Sequence, residues 1–217
     1  MPHSLTPQRL KALRAQMAKA KVDAYVVSNN DPHQSEYVPD HWKCRTWLTG
    51  FTGSNGTAVI TAKAAGLWTD SRYFIQAEQE LKGSGIALFK MGEPNVSSWQ
   101  DWLVQQLPKG STVGCLGMSY SIQTLDTLRR KLEEAGLRLS TNQDLVAPIW
   151  TEGRPTLPAA KIRKHAERHA GASRAEKLAK IRAKMKDKGA NWYLLSSLDD
   201  IAWLFNFRGG DIAYVPV

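Results

Sequence analysis

The sequence predicts a layered α/β fold followed by an incomplete second copy of the same unit. Three observations carry that expectation. From Thr6 to Ala135, short apolar runs with β-forming residues alternate with stretches of helical periodicity. After Trp150 the alternation stops at Gly153, Pro155 and Pro158, none of which suits the interior of a helix or strand. Finally, Leu13–Ser28 (LRAQMAKAKVDAYVVS) and Ile181–Ser196 (IRAKMKDKGANWYLLS) align without a gap. Arg14 matches Arg182, Ala15 Ala183, Met17 Met185, Tyr25 Tyr193 and Ser28 Ser196.

The elements follow in order. Thr6 and Pro7 read as N-cap and first helical residue, with Leu10, Leu13 and Met17 on one face of a helix running to about Lys21. Ala24–Ser28 and Thr57–Thr61 read as strands, separated by a long segment that holds Asp31, Pro32, His33 and the stretch Trp42–Gly50. Gly66–Thr69 ends a further strand, and Ser71–Leu81 reads as a helix. Then come an extended Ile86–Lys90, a helical Ser98–Leu107 and an extended Val113–Leu116. Ile122, Leu125, Leu128 and Leu132 form one stripe on a helix ending near Ala135. Past the break, Ser173–Lys188 resumes helical spacing, Trp192–Ser196 (WYLLS) reads as a strand, and Ile201–Phe205 as a short helix capped by Asp199.

Composition narrows the function classes. At 217 residues, 42% hydrophobic and 23% charged, with eight Trp, six Tyr and five Phe, the chain can bury a sizeable core and is neither fibrous nor disordered. The net charge of +9 is concentrated: between Lys161 and Lys188 eleven Lys or Arg face Glu167, Glu176 and Asp187, leaving the remainder nearly neutral. That run has charge for phosphate contacts but no aromatic side chains to stack on bases, so nucleic-acid binding through residues 161–188 would be weak and salt-sensitive. Cys44 and Cys115 lie far apart and suggest a reducing compartment. The N-terminal stretch lacks the apolar core of a secretory signal, and no run approaches a membrane span, so a cytoplasmic location is expected.

Few motifs suggest chemistry. Gly50, Gly53 and Gly56 in GFTGSNG match neither phosphate-loop spacing and read as a turn before the next strand. His165 and His169 have the spacing of a helical metal pair, but the surrounding Lys161, Arg163, Lys164 and Arg168 oppose a divalent cation. Cys44 and Cys115 stand outside any catalytic motif and read as buried apolar residues. The segment Asp31-Pro32-His33-Gln34-Ser35-Glu36-Tyr37 gathers polar groups after a strand, where α/β ligand sites form, and reads more simply as a hydrogen-bonded loop. In Trp68–Phe74 (WTDSRYF), strand, cap and helix meet, which leaves Arg72 in a first turn where a cation opposes the helix dipole. Something else must favour it. An ion pair with Asp70 or Glu36 would do so, as would capture of a substrate or partner carboxylate or carbonyl, and both readings stay open on the residues alone.

The strings NNDPHQSEYVPDHWKCRTWLTGFTGSNGTAVIT, AGLWTDSRYFIQAEQEL, DWLVQQLPKGSTVG, LVAPIWTEGRP and LDDIAWLFNFRGGDIAYVPV together resemble the N-terminal half of cytosolic-type, three-domain Xaa-Pro aminopeptidases. The resemblance implies a creatinase N-terminal-like fold, a mixed β-sheet flanked by helices. It implies a first domain over residues 1–155, a linker over 156–172 and the truncated start of a second such domain over 173–217. The C-terminal pita-bread catalytic domain, which carries two divalent metal ions, usually manganese, would be missing, so this chain alone is expected to be inactive.

The implied function is that of a noncatalytic portion. The parent would hydrolyse the N-terminal residue from peptides with proline second, by attack of metal-bound hydroxide, while this portion serves subunit contact and substrate confinement. Its partners would be its own catalytic domain or that of a second subunit in a homodimer, and the peptide substrate. By the same resemblance Arg72 matches an arginine that reaches toward substrate, with Ser71 where the family commonly has glycine. Asp31, His33 and Arg45 are nearby candidates only. The rival classes are a standalone protein-interaction module and a nucleic-acid binder.

Overall fold

The computed structural model describes residues 5–216; Met1–Ser4 of the expected first domain and Val217 of the expected second lie outside the described residues. The chain forms two compact units. One is built from the chain up to Gln34 together with Asp40–Pro155, the other from Ser35–Pro39 together with the chain from Thr156 onward.

The first unit is a six-stranded mixed sheet. Its strands are β1 (Ala24–Val27), β2 (Thr57–Thr61), β3 (Ala65–Thr69), β4 (Ala87–Lys90), β5 (Thr112–Cys115) and β6 (Arg138–Ser140), in the spatial order β4-β3-β2-β1-β5-β6. The pairs β1–β2 and β2–β3 are antiparallel; β3–β4, β1–β5 and β5–β6 are parallel. Every residue of β1 is buried, as expected of a central strand covered on both faces. Tyr25 and Val27 point into one core with Leu13, Leu48, Phe51, Ile60 and Leu67. Ala24 and Val26 point into the other, with Val59, Trp68, Leu103, Val113 and Leu132.

Five helices pack with these strands: α1 (Thr6–Ala20), α2 (Cys44–Thr49), α3 (Phe74–Glu80), α4 (Trp99–Gln106) and α5 (Ile122–Glu134). Three details differ from the sequence expectation. Thr6 is not the cap of α1: Leu5 holds that place without a side-chain bond, and the buried Thr6 hydroxyl donates instead to the Thr49 carbonyl at 3.4 Å. Ile122, at the first turn of α5, is 80% exposed, so the buried stripe comprises only Leu128 and Leu132, with Leu125 partly covered. Residues 71–73 wind as a tight 3-10 turn before α3 begins.

The second unit has the short antiparallel pair β7 (Arg163–Lys164) and β8 (Phe207–Arg208), with α6 (Glu167–Ala170), α7 (Arg174–Asp187) and α8 (Leu198–Phe205). β7 and α6 fall in the stretch expected as linker. Ser197, not Asp199, caps α8, its hydroxyl accepting from the Asp200 N–H. α7 lies on the repeat of α1, and the two helices end alike. Lys21 and Gly189 are both left-handed, at φ 56° and 64°. The Val22 N–H donates to Met17 O at 2.9 Å, and its counterpart Ala190 donates to Met185 O at 2.8 Å.

The expected strand at Trp192–Ser196 is not formed; the segment is irregular, with Trp192 92% and Leu194 89% exposed. The physical reason lies in its counterpart. β1 is hydrogen-bonded to β2 on one side and β5 on the other, whereas residues 192–196 have no strand beside them among the described residues. A strand without a ladder has no partner for its backbone groups except water.

Candidate functional site

The segment leaving β3 and the loop Gly50–Gly56 meet around Arg72. Asp70, at the end of the strand, caps the following turn, its Oδ1 accepting from the Arg72 N–H at 3.1 Å. The same carboxylate takes both arms of the Arg72 guanidinium: Nε donates to Oδ1 at 2.9 Å and Nη2 to Oδ2 at 2.8 Å. Of the two ion-pair partners the sequence offers, Asp70 and Glu36, Asp70 is the one used. The fork leaves Nη1 outside the pair, and the Arg72 side chain is 64% exposed. Its flank lies 5.2 Å from the Tyr73 ring centre.

The loop locks this pair in place. Asn55 Nδ2 donates to Asp70 Oδ2 at 2.6 Å, and Thr69 Oγ1 donates to the Asn55 carbonyl at 2.7 Å. Ser54 Oγ and the Tyr73 hydroxyl lie 2.6 Å apart. Glu80 of α3 accepts from the Thr52 N–H at 2.8 Å and from its hydroxyl at 2.6 Å. The hydrogen bonds from Arg72, assisted by Asn55, hold the Asp70 carboxyl below the usual aspartate range, and Asp70 in turn keeps Arg72 firmly cationic. The Ser54 contact lowers the Tyr73 phenol. Glycine is required twice here: Gly50 ends α2 at φ 77°, and a Cβ at Gly53 would overlap the Phe51 and Tyr73 rings. GFTGSNG is therefore a packing and turn motif in this fold.

Arg45, expected only as a neighbour, is fully buried on α2, and its Nη2 donates to the Gly53 carbonyl, so it shares the loop with Arg72. Asp31 is buried in its own turn, its Oδ1 accepting from the His33 N–H at 3.0 Å while His33 itself is exposed. Gln34 closes that turn on the Asp31 and Ser119 carbonyls at 3.0 and 2.9 Å. Beyond the carboxyl ends of β1 and β5, a cavity of about 20 Å3 is lined by Ser28, Asn30, Ser119, Tyr120 and Asp144 among others. It has room for a water-sized molecule and none for a peptide.

Burial pushes the Cys44 and Cys115 thiols up to about 11, which fits two inert core residues. His165 precedes α6 and His169 lies within it, with ring centres 5.9 Å apart and the Arg168 Nε donating to His169 Nε2 at 3.0 Å. Among the described residues no group of three or more His, Cys, Asp and Glu is placed to hold a metal ion, so the donor set of a two-metal centre does not fit here. Sequence reasoning missed Asn55, Ser54 and Glu80. The only local signal is the turn-forming Asn55-Gly56 pair, and nothing in it points to Asp70, which lies beyond the end of the neighbouring strand β3.

Residues 9–146 match the family described as the Creatinase/Prolidase N-terminal domain, and residues 153–217 match a second family of the same description. The chain belongs to the creatinase/prolidase N-terminal domain family. The creatinase N-terminal-like fold, with its mixed sheet flanked by helices, is thus the one the sequence predicts. The chain is 41% identical over 213 residues to "Probable Xaa-Pro aminopeptidase P" of Talaromyces marneffei, covering 98% of this chain and 32% of that one. It is 40% identical over 213 residues to the protein of the same name from Aspergillus clavatus, with the same coverage. Among solved structures, X-prolyl aminopeptidase of Caenorhabditis elegans, described as a cytosolic enzyme with a di-nuclear active site, superposes with a TM-score of 0.86 at 33% identity. That match covers 98% of this chain and 36% of the other. This member of the family therefore corresponds to the N-terminal portion of Xaa-Pro aminopeptidase-like proteins and spans about a third of their length. No helix among the described residues is long and apolar enough to cross a membrane.

Proposed function

We propose that this chain is the noncatalytic N-terminal portion of a cytoplasmic Xaa-Pro aminopeptidase. The whole enzyme removes the N-terminal residue from peptides with proline in second place, using two divalent metal ions, manganese in this reading, held in a C-terminal domain. The portion described here serves subunit contact in a homodimer and confines the substrate. Residues 1–155 form the first creatinase-type domain and 173–217 open a second. Arg72 reaches toward the peptide and offers its outer guanidinium edge to a carbonyl or carboxylate.

The observation that carries this reading is the geometry of Arg72. A guanidinium engaged on one edge by Asp70 and exposed on the other is pre-oriented, so little rotamer freedom remains to be lost when an acceptor arrives. In the longer protein, Arg72→Ala is expected to lower kcat/KM for Xaa-Pro peptides by about 10- to 100-fold, the worth of one charge-assisted hydrogen bond. Metal content and thermal unfolding should stay as they are. Arg72→Lys, which keeps the charge and loses the fork, should fall between. Unchanged kinetics in both variants would return Arg72 to a surface ion pair and remove the substrate role.

A further inference from the structure

Arg45 presents a problem that its neighbours do not solve. It is 0% exposed, and among the described residues it forms no ion pair. Nη2 donates to the Gly53 carbonyl, while Nε and Nη1 have no hydrogen-bond partner. The guanidinium lies 4.8 Å from the Phe51 ring centre, and a Cβ at Gly56 would come within 2.7 Å of Nη1, so the loop closes over it at both residues 53 and 56. Burial lowers its pKa to about 10, with Glu80 and Tyr73 opposing the shift. A buried cation with idle donors costs stability, and an apolar side chain of similar volume would fill the space more cheaply. What arginine adds, and an apolar residue lacks, is a directed bond to the backbone of the loop.

We propose that Arg45 is a positioning residue that holds the 50–56 loop from within, so that Asn55 fixes Asp70 and Asp70 fixes Arg72. The links are continuous. Nη2 holds the Gly53 carbonyl; two residues on, Asn55 donates to Asp70 at 2.6 Å while its own carbonyl is held by Thr69 at 2.7 Å; and Asp70 accepts both arms of Arg72. The functional consequence rests on the reading of Arg72 as a substrate contact, whereas the mechanical one does not.

The test uses the 217-residue chain and reads the Asp70 carboxyl carbon by NMR as pH is varied, with thermal unfolding recorded alongside. The titratable groups that act with Asp70 are Arg72 and Tyr73 on its own turn, while Glu80 and Arg45 hold the neighbouring loop at Thr52 and Gly53. In the parent chain Asp70 titrates below the ordinary aspartate range. Arg45→Met, which keeps length and removes the donors, is expected to move that midpoint up toward the ordinary range, Arg45→Lys to move it less, and Asn55→Ala to reproduce the rise with Arg45 intact. A lowered melting temperature in Arg45→Met with the Asp70 midpoint unmoved would reduce Arg45 to a core residue and overturn the proposal. If Arg45→Met does not fold, Arg45→Lys decides on the same readout. If neither folds, Asn55→Ala decides, because an unmoved midpoint there breaks the chain of links. Failure of Arg72→Ala to affect peptide cleavage would sink the substrate reading and leave this titration standing; the reverse pair of results would sink the positioning role alone.

Discussion

Tyr25 sits at the centre of the sheet and does two jobs. Its ring fills the core beside Val22 and Gly114, where a Cβ on the glycine would come 2.9 Å from the ring. Its hydroxyl donates to the Gln143 carbonyl at 2.8 Å and accepts from the Leu145 N–H at 3.2 Å, tying the segment after β6 to the central strand. Burial raises the phenol far above its ordinary pKa, so it stays a neutral donor throughout the working pH range. Tyr25→Phe leaves a part-buried carbonyl and a buried N–H without this partner. It is expected to cost about 1–3 kcal/mol, read as a lower urea midpoint at unchanged slope. An unchanged midpoint would mean that both backbone groups find other partners. The sequence marks Tyr25 as an apolar strand residue and as one of the repeat matches; its polar partners stand more than a hundred residues on, where neither periodicity nor capping logic reaches.

At the scale of elements, α7 is held at its start by a reciprocal cap. Ser173 Oγ accepts from the Glu176 N–H at 3.2 Å, and Glu176 Oε2 accepts from the Ser173 N–H at 2.7 Å. The Ser173 N–H holds the Glu176 carboxyl below its ordinary range. A carboxylate whose folded pKa is depressed contributes above its unfolded pKa, and the contribution is lost as pH falls through the lowered folded value. Amide protection in the first turn of α7 is therefore expected to hold down to the ordinary Glu range and to drop below it; Ser173→Ala should remove both the protection and its acid dependence. Persistence of that acid dependence in Ser173→Ala would assign it to another group.

The helical spacing of residues 173–188 is legible in the sequence; the reciprocal cap that starts it is a finding of the structure. Elements with a strong local signal, TAVIT, AYVV and the helix of the Ile122–Leu132 stripe, stand where the pattern places them, although the buried stripe does not reach back to Ile122. α2 and β6 were missed for physical reasons. α2 is six residues long and is held by tertiary packing of Leu48 and Arg45, while β6 is three residues of edge strand paired, among the described residues, with β5 alone. The candidate site was legible in part. A first-turn arginine demanded a partner and Asp70 supplies it, but the loop that steadies Asp70 comes from the far side of a hairpin and carries no sequence sign of its reach.

Across the whole molecule, the two units differ in how they are held. The first has an apolar core on each face of its sheet. In the second, a cation stands where a core residue would be: Lys177 is 3% exposed, with Nζ donating to the Trp203 carbonyl at 2.8 Å and Asn206 Oδ1 at 2.7 Å, 4.6 Å from the Trp203 ring centre. Beside this modest core, Trp192, Tyr193 and Leu194 are exposed, although their counterparts Ala24, Tyr25 and Val26 are at most 2% exposed in the first unit. The matched helix ends show that the chain arrives at residue 190 in the geometry that launches β1. Among the described residues the segment has no strand on either side.

Hydrogen exchange on the 217-residue chain is therefore expected to show slow amides across β1, β2, β3 and β5 and fast ones over residues 191–197, because exchange protection follows hydrogen bonding and local stability. In a longer protein that supplies the missing strands, the amides of 192–196 should become as slow as those of β1, and Trp192 emission should shift to the blue as the indole leaves water. If those amides stay fast in the longer protein, residues 173–217 do not open a second copy of the fold, and the likeness of α7 to α1 would end at Ala190.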